Sequence, residues 1–159
     1  MPIRRLRIVS LFCLGIAIAA AQQSQRYAVL PQTEAKSLVG LRLLNSPPRK
    51  ITGTWEPTQI DVDGLEANLR QVSVLSRQWK SAQWYVDHPE RYFRQYLGVL
   101  SGGRKLIYVN ALCGHLNGSQ PPSYWRDHYV RVSDGGNCFW NVVYDTSTRT
   151  FVDLLVNGH

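Results

Sequence analysis

The sequence predicts an α+β fold in which one main helix packs on a curled antiparallel sheet of about five strands. The helix is indicated by apolar residues spaced three or four apart between Val62 and Trp79. The strands are indicated by apolar runs on either side of short turns within residues 92–113 and 138–157. A helix laid across one face of such a sheet is the simplest way to bury both apolar surfaces.

The predicted main helix has a defined beginning and end. Thr58 followed by Asp61 is typical of an N-terminal cap, in which side-chain oxygens accept bonds from unpaired backbone N–H groups. His88-Pro89 ends any continuation, because the residue before a proline avoids helical geometry. A second, short helix is predicted around residues 32–39. The apolar stripe of the main helix consists of Val62, Leu65, Leu69, Val72, Leu75 and Trp79.

The predicted strands all follow the main helix. Gly102-Gly103 supplies the positive φ angles that a tight hairpin needs. A second hairpin is predicted around residues 146–149. The strands themselves are predicted at residues 92–100, 105–113, 128–133, 138–145 and 150–157.

The first 21 residues have the pattern of a secretory signal peptide. Arginines at positions 4, 5 and 7 precede the apolar run 8–20, and small residues follow, so we expect cleavage after Ala21. An N-terminal buried helix and an uncleaved membrane anchor are the alternatives. The mature chain then divides into a lead-in segment, 22–58, and an α+β domain, 59–159. The expected location is the periplasm or the outside of the cell.

The charge of the mature chain is mildly positive. The whole chain has 18 Lys and Arg and 11 Asp and Glu, and three of the arginines leave with residues 1–21. The remaining 15 basic and 11 acidic residues give a formal charge of +4, without a basic cluster. Nucleic-acid binding is not expected, because it needs basic residues gathered on one face. No second stretch is apolar enough to predict a membrane span.

Two of the three cysteines, Cys113 and Cys138, remain after Cys13 leaves with the signal peptide. An even number of cysteines in an exported chain indicates a disulfide. Closing this loop would stabilise the fold by roughly 3–4 kcal/mol in the chain-entropy model. Two alternatives stay open: a thiol nucleophile paired with His115 or His128, and a zinc site built from the two cysteines and those two histidines.

Four stretches of the chain resemble a group of small secreted bacterial proteins of unknown function. They are WEPTQIDVDGLEANL at 55–69, YFRQYLGV at 92–99, KLIYVNALC at 105–113 and DGGNCFWNVVYDTSTRTFVDLLVNG at 134–158. The most specific part is the Gly-Gly-X-Cys strand with the closing Asn-Gly. The resemblance implies an exported, single-domain bacterial protein and no particular activity. The general shape is similar to that of cystatin-like and NTF2-like folds.

Two groups of residues are candidates for a functional site. Tyr124, Trp125 and Arg126 lie in a loop and have the aromatic-plus-arginine composition that interfaces favour. A pocket between helix and sheet could instead be lined by the polar residues Tyr96, Tyr108, His128 and Asp153.

Two classes of function fit these candidates. The first is a non-enzymatic exported module that binds a protein, a peptide or an envelope component through the cavity or open face of its sheet, with the 114–127 loop contributing. The second is a small exported hydrolase that uses the pocket. An envelope protein without a pocket is a third option. The sequence contains no catalytic, cofactor-binding or metal-binding motif, so we expect no cofactor and favour the binding module.

Overall fold

The computed structural model describes five ranges of the chain: residues 26–43, 50–78, 85–114, 121–133 and 135–157. The predicted signal peptide and its cleavage site lie outside these ranges, as do Trp79 and His115. None of the helices that the structure describes has the length and apolar character needed to cross a bilayer.

The architecture is α+β, with a mixed sheet of six strands rather than about five antiparallel ones. The central order is β1-β3-β4-β5-β6, and β2 also pairs with β3. β1 is parallel to β3 and the other pairings are antiparallel. The two additional strands, β1 and β2, come from the predicted lead-in segment. The strands are β1 Tyr27–Val29, β2 Gly53–Thr54, β3 Phe93–Ser101, β4 Arg104–Leu112, β5 Gly136–Asp145 and β6 Thr150–Asn157.

Both predicted hairpins are present. Gly102 and Gly103, with φ angles of 57° and 76°, join β3 to β4. A turn at residues 146–149 joins β5 to β6. The β5–β6 pairing is irregular at two places. Between Gly136 and Trp140, β5 carries three residues that have no counterpart on β6. Between Asn141 and Val143, β6 carries one more residue than β5, and Asp153 there adopts a φ of 57°. This is the geometry of a β-bulge, which bends the edge of the sheet.

The single predicted helix is two helices, α2 Gln59–Asn68 and α3 Gln71–Arg77. The predicted cap is confirmed, since Thr58 and Asp61 form a capping box. A side-chain bond competes with the helical pattern at the break, where the Asn68 side-chain amide donates to the Gly64 carbonyl at 2.8 Å. After this point the backbone turns with tighter i→i−3 bonds, such as the Leu69 N–H to the Glu66 carbonyl.

The predicted short N-terminal helix is also present, in two parts. Helix α1 spans Gln32–Ala35 and continues as a 3₁₀ turn at Lys36–Leu38. Another 3₁₀ turn, Pro89–Arg91, precedes β3.

Helices α2 and α3 bury one face of the sheet. The apolar side of these helices packs on the alternate residues of β3, β4 and β5 that point toward them. A buried ion pair adds to this contact, because Arg94 on β3 binds the Glu66 carboxylate on α2 at 3.1 Å. The Tyr96 hydroxyl also donates to Glu66. The core on this face includes Val62, Leu65, Val72, Ile107, Val109, Trp140, Val142 and Tyr144.

The opposite face of the sheet is covered as well. The sequence had predicted a covering helix on one face only. One part of this face packs against Leu30, Leu38 and neighbouring residues of the N-terminal segment. Another part packs against Trp125 and Val130 of the segment 121–133. The described chain therefore has three layers, and both faces of the central strands are buried.

The third predicted strand, 128–133, does not join the sheet. This segment crosses over the sheet face instead of lying beside an edge, so it meets side chains rather than backbone groups. Its backbone groups bond to the side chains of Glu34, Gln95, Asn110 and Asn157. The prediction of a strand at residues 128–133 is therefore wrong.

A buried carboxylate closes the turn between β5 and β6. Asp145 accepts bonds from the Ser147 hydroxyl at 2.6 Å and from the Ser147 N–H at 3.0 Å, and Arg104 binds it at 2.5 Å. Burial opposes ionisation of Asp145, but the Ser147 bonds and the charge of Arg104 outweigh it. The pKa of Asp145 therefore lies below its usual value of 3.8.

Replacing this carboxylate should change how stability depends on pH. Because the pKa is lower in the folded state, ionised Asp145 stabilises the fold above pH 4 or so, and this stabilisation is lost as the pH falls through the folded-state pKa. We expect Asp145→Asn to be less stable by about 1–3 kcal/mol at pH 7, with a shallower loss of stability below about pH 4. Urea unfolding at a series of pH values measures both; identical slopes for the two proteins would contradict this assignment.

Candidate functional site

The predicted disulfide is confirmed. Cys113, just after β4, is bonded to Cys138 on β5, and their α-carbons are 4.7 Å apart. The Cys113 N–H also donates to the Cys138 carbonyl at 2.7 Å, so the two strands hold the sulfur atoms together. The bonded sulfurs cannot act as thiolates. A thiol nucleophile and a Cys–His zinc site are therefore both ruled out for this oxidised pair.

A row of buried amide side chains holds the segment 121–133 on the sheet. The Gln95 side-chain amide on β3 donates to the carbonyls of Trp125 at 2.5 Å and His128 at 2.6 Å. Its oxygen accepts the Val130 N–H at 2.9 Å. The neighbouring Asn110 on β4 donates to the Val130 carbonyl at 2.8 Å. We call the three residues Gln95, Asn110 and Asn141 the amide row.

The orientation of every amide in this row is determined by one backbone group. The Val130 N–H can only donate, so the Gln95 atom that faces it must be the oxygen. That oxygen also receives the Asn110 amide at 2.8 Å, which fixes Asn110 as the donor there. The Asn110 oxygen in turn accepts the Asn141 amide at 2.7 Å. The Asn141 carbonyl oxygen is thus left facing away from the row.

Of the predicted contact loop, Trp125 is a packing residue rather than an exposed anchor. Its side chain is 6% exposed and packs edge-on against Phe93, with ring centroids 5.2 Å apart. The amide row explains this burial, since Gln95 draws the Trp125 backbone down onto the sheet. Tyr124 remains 51% exposed and Arg126 is also on the surface.

Guanidinium and aromatic groups form a continuous stack beside this loop. Arg126 lies 4.5 Å from the Trp125 ring centroid, Trp125 contacts Phe93, and Arg26 lies 5.2 Å from the Phe93 ring centroid. Each cation above a ring face gains about 0.5–2 kcal/mol. The buried Trp125 therefore supports Phe93 from behind, while Phe93 and Arg26 face a surface cleft.

This cleft, of about 640 Å³, is the candidate functional site. Its volume lies in the usual range for small-ligand sites, about 300–1,000 Å³. The disulfide and Phe93 border it on the sheet side, and aromatic and charged residues of the 85–92 stretch border it on the other. It is lined by Arg26, Tyr85, Asp87, His88, Arg91, Tyr92, Phe93, Cys113, Gly114 and Asn137.

The charged groups of the cleft leave an excess of positive charge. Asp87 lines the cleft and is paired at 2.9 Å with Arg77, which does not line it. His88 lies 3.2 Å from Glu90. Within the described ranges, neither Arg26 nor Arg91 has a carboxylate partner. The Arg91 backbone carbonyl accepts a bond from the Arg26 guanidinium at 2.8 Å, which places the Arg26 side chain beside the Arg91 backbone.

The four residues of the predicted pocket are not brought together. Tyr96 faces the α2–α3 side of the sheet and Tyr108 faces the opposite side, because side chains alternate along paired strands. His128 is exposed on the covering segment, and Asp153 lies on β6, with two strands between it and Tyr96. The pocket proposed for a hydrolase is therefore not assembled.

Tyr96 has a structural role instead. Its hydroxyl binds Glu66, and Arg94 donates to the same hydroxyl at 2.9 Å. Burial, reinforced by the Glu66 carboxylate, raises the pKa of Tyr96 well above its usual value of 10.0, although Arg94 acts in the other direction. The phenol is therefore a protonated hydrogen-bond donor that joins β3 to α2.

The sequence reasoning missed Arg26, Arg91 and Phe93 as site residues. One signal was available, since Arg91-Tyr92-Phe93 places an arginine beside two aromatic residues immediately before a strand. That Arg26 joins them depends on the parallel pairing of β1 with β3, which aligns Tyr27 with Arg94. A three-residue parallel strand has too short a pattern to be found in the sequence.

Comparison of the chain with protein family models, with curated proteins and with solved structures finds no match. In the part of the chain that the structure describes, no three His, Cys, Asp or Glu side chains are placed to hold a metal ion. The candidate site must therefore be interpreted from its own geometry.

The disulfide at the border of the cleft can be tested by thiol titration. We expect no titratable thiol in the mature chain taken from the exported fraction, unfolded without reductant, and one thiol in a Cys113→Ser variant. The variant should also lose roughly 3–4 kcal/mol of stability in the chain-entropy model, measured by urea unfolding. Two titratable thiols per molecule of the unmutated protein would contradict the assignment.

Proposed function

We propose that this chain is an exported, disulfide-bonded binding module that acts in the periplasm or outside the cell and holds its ligand in the Arg26–Arg91 cleft. The signal-peptide pattern of residues 1–21 supports export. A disulfide is consistent with it, because such bonds persist in oxidising compartments.

The chemistry of the cleft favours a ligand that carries a carboxylate next to an apolar group. Arginine presents a planar fork of donors that matches a carboxylate with two parallel bonds. Arg26 and Arg91 both line the cleft, and one Arg26 nitrogen is already bonded to the Arg91 carbonyl, which leaves the other donors of both residues for a ligand. The rings of Tyr92 and Phe93 offer apolar surface beside them. The single observation that carries the proposal is this pair of arginines without carboxylate partners among the described residues.

A ligand with a carboxylate next to an apolar group can come from only some of the partner classes that were expected from the sequence. An acidic segment of a peptide or protein, or an envelope polymer that bears carboxylates, has the required chemistry. Positive charge at the cleft would also attract such a ligand before contact, and salt would weaken this attraction. The hydrolase alternative is not proposed, since its four candidate residues lie apart.

The proposal can be tested with two probes: a short peptide of glutamates with one phenylalanine, and polygalacturonate. We expect Arg26→Gln/Arg91→Gln to bind the effective probe at least tenfold more weakly, about 1.4 kcal/mol in binding free energy. Isothermal titration at two salt concentrations measures the affinity and its salt dependence. Whichever probe binds identifies the source of the carboxylate.

A matched control separates the cleft from net charge. Arg42→Gln/Arg149→Gln removes two exposed arginines outside the cleft lining and should leave the affinity unchanged. If both double variants bind equally, or if neither probe binds the unmutated protein, the proposed function is wrong.

A further inference from the structure

A second depression, of about 420 Å³, lies on the sheet face opposite α2 and α3. It runs between the 3₁₀ turn at Lys36–Leu38 and the segment 129–133. It shares no lining residue with the Arg26–Arg91 cleft. We call it the amide groove, after the asparagines of its floor: Asn110, Asn141 and Asn157.

The floor of the amide groove presents carbonyl oxygens. The amide row turns the Asn141 oxygen away from Asn110, because the Asn141 nitrogen is used as the donor. The Asn157 nitrogen similarly donates to the Val132 carbonyl at 2.9 Å. Both side-chain oxygens are thus left without a donor among the described residues. Two fixed acceptors are available to a ligand that carries hydroxyl or N–H groups.

The wall of the groove is aromatic and carries one cation. Tyr108 and Tyr129 meet edge to face, with ring centroids 6.4 Å apart. The Arg131 guanidinium lies over the Tyr129 ring, 5.6 Å from its centroid, and one of its nitrogens donates to the Ser37 carbonyl at 3.4 Å, which leaves its other N–H groups for a ligand. Burial raises the pKa of Tyr129 and, together with Tyr129, that of Tyr108. Both phenols are therefore uncharged hydroxyl groups at neutral pH.

These groups disfavour three kinds of ligand. An anion is attracted by Arg131 but repelled by the two asparagine oxygens of the floor, and a cation is attracted by those oxygens but repelled by Arg131. A wholly apolar ligand would leave the two oxygens buried without partners, at about 1–3 kcal/mol each. A neutral ring with several hydroxyl groups matches all of the groups in the groove. Its hydroxyls can donate to the asparagine oxygens and accept from Arg131, while its C–H face packs on an aromatic ring.

We infer that the amide groove binds a neutral saccharide unit, with Asn141 and Asn157 as acceptors and Tyr129 as part of the aromatic wall against which the sugar packs. The volume of the groove is within the range of sites for small molecules. This site is independent of the carboxylate cleft, and it would recognise the sugar part of an envelope component.

The test is a titration of the isotopically labelled mature protein with neutral sugars, followed by nuclear magnetic resonance. The probes are glucose, galactose and N-acetylglucosamine, with glucuronate as the anionic comparison. We expect at least one neutral sugar to give saturable shifts at the side-chain amides of Asn141 and Asn157. The backbone amides of Arg91 and Phe93, at the carboxylate cleft, should not move.

Two variants test the roles of the ring and the oxygen. Tyr129→Leu and Asn157→Leu should each weaken sugar binding at least fivefold, whereas Tyr124→Leu, which removes an exposed tyrosine outside the groove lining, should not. The spectra show whether each variant remains folded, and the shifts in the unmutated protein locate the site even if one does not. The inference fails if no neutral sugar gives saturable shifts, if the shifts lie elsewhere, or if only glucuronate binds.

Discussion

The fold and both candidate sites depend on one constraint: the segment 125–132 lies against a sheet face without a strand beside it, and its residues Trp125 and Val130 are buried there. Buried N–H and carbonyl groups must be hydrogen-bonded, and each failure costs about 1–3 kcal/mol. The backbone groups of this segment that face the sheet have side chains as partners, and Gln95 alone binds three of them. Because Gln95 and Asn110 also bind each other, the segment and the sheet are joined by one connected network.

The amide row connects the two surfaces that we propose as binding sites. At one end, Gln95 holds the Trp125 backbone, so that the Trp125 ring supports Phe93 in the carboxylate cleft. At the other end, Asn141 presents its oxygen to the amide groove. Within the row, Gln95 and Asn110 bind each other and the backbone of the covering segment, so the network positions surface groups as well as stabilising the core.

The sequence was informative where the pattern was local. The hairpins, the Thr58 cap and the α+β class follow from neighbouring residues, and the disulfide follows from a count of two in a chain that is expected to be exported. The covering segment was not predictable in this way, because its partners are amides on distant strands: Gln95 and Val130 are 35 residues apart. For the same reason the burial of Trp125 was not predicted. Tyr96 and Tyr108 were predicted to line one pocket, but the register of β3 with β4 places them on opposite faces of the sheet.

Hydrogen exchange at the Val130 amide tests this account most directly. Its N–H is buried and has Gln95 as its acceptor, so we predict that it exchanges about as slowly as the amide of Val109 in the centre of β4. In Gln95→Leu, exchange at Val130 should become much faster while Val109 stays protected. Rapid exchange at Val130 in the unmutated protein, or equal protection in the variant, would contradict the claim that the amide row holds this segment in place.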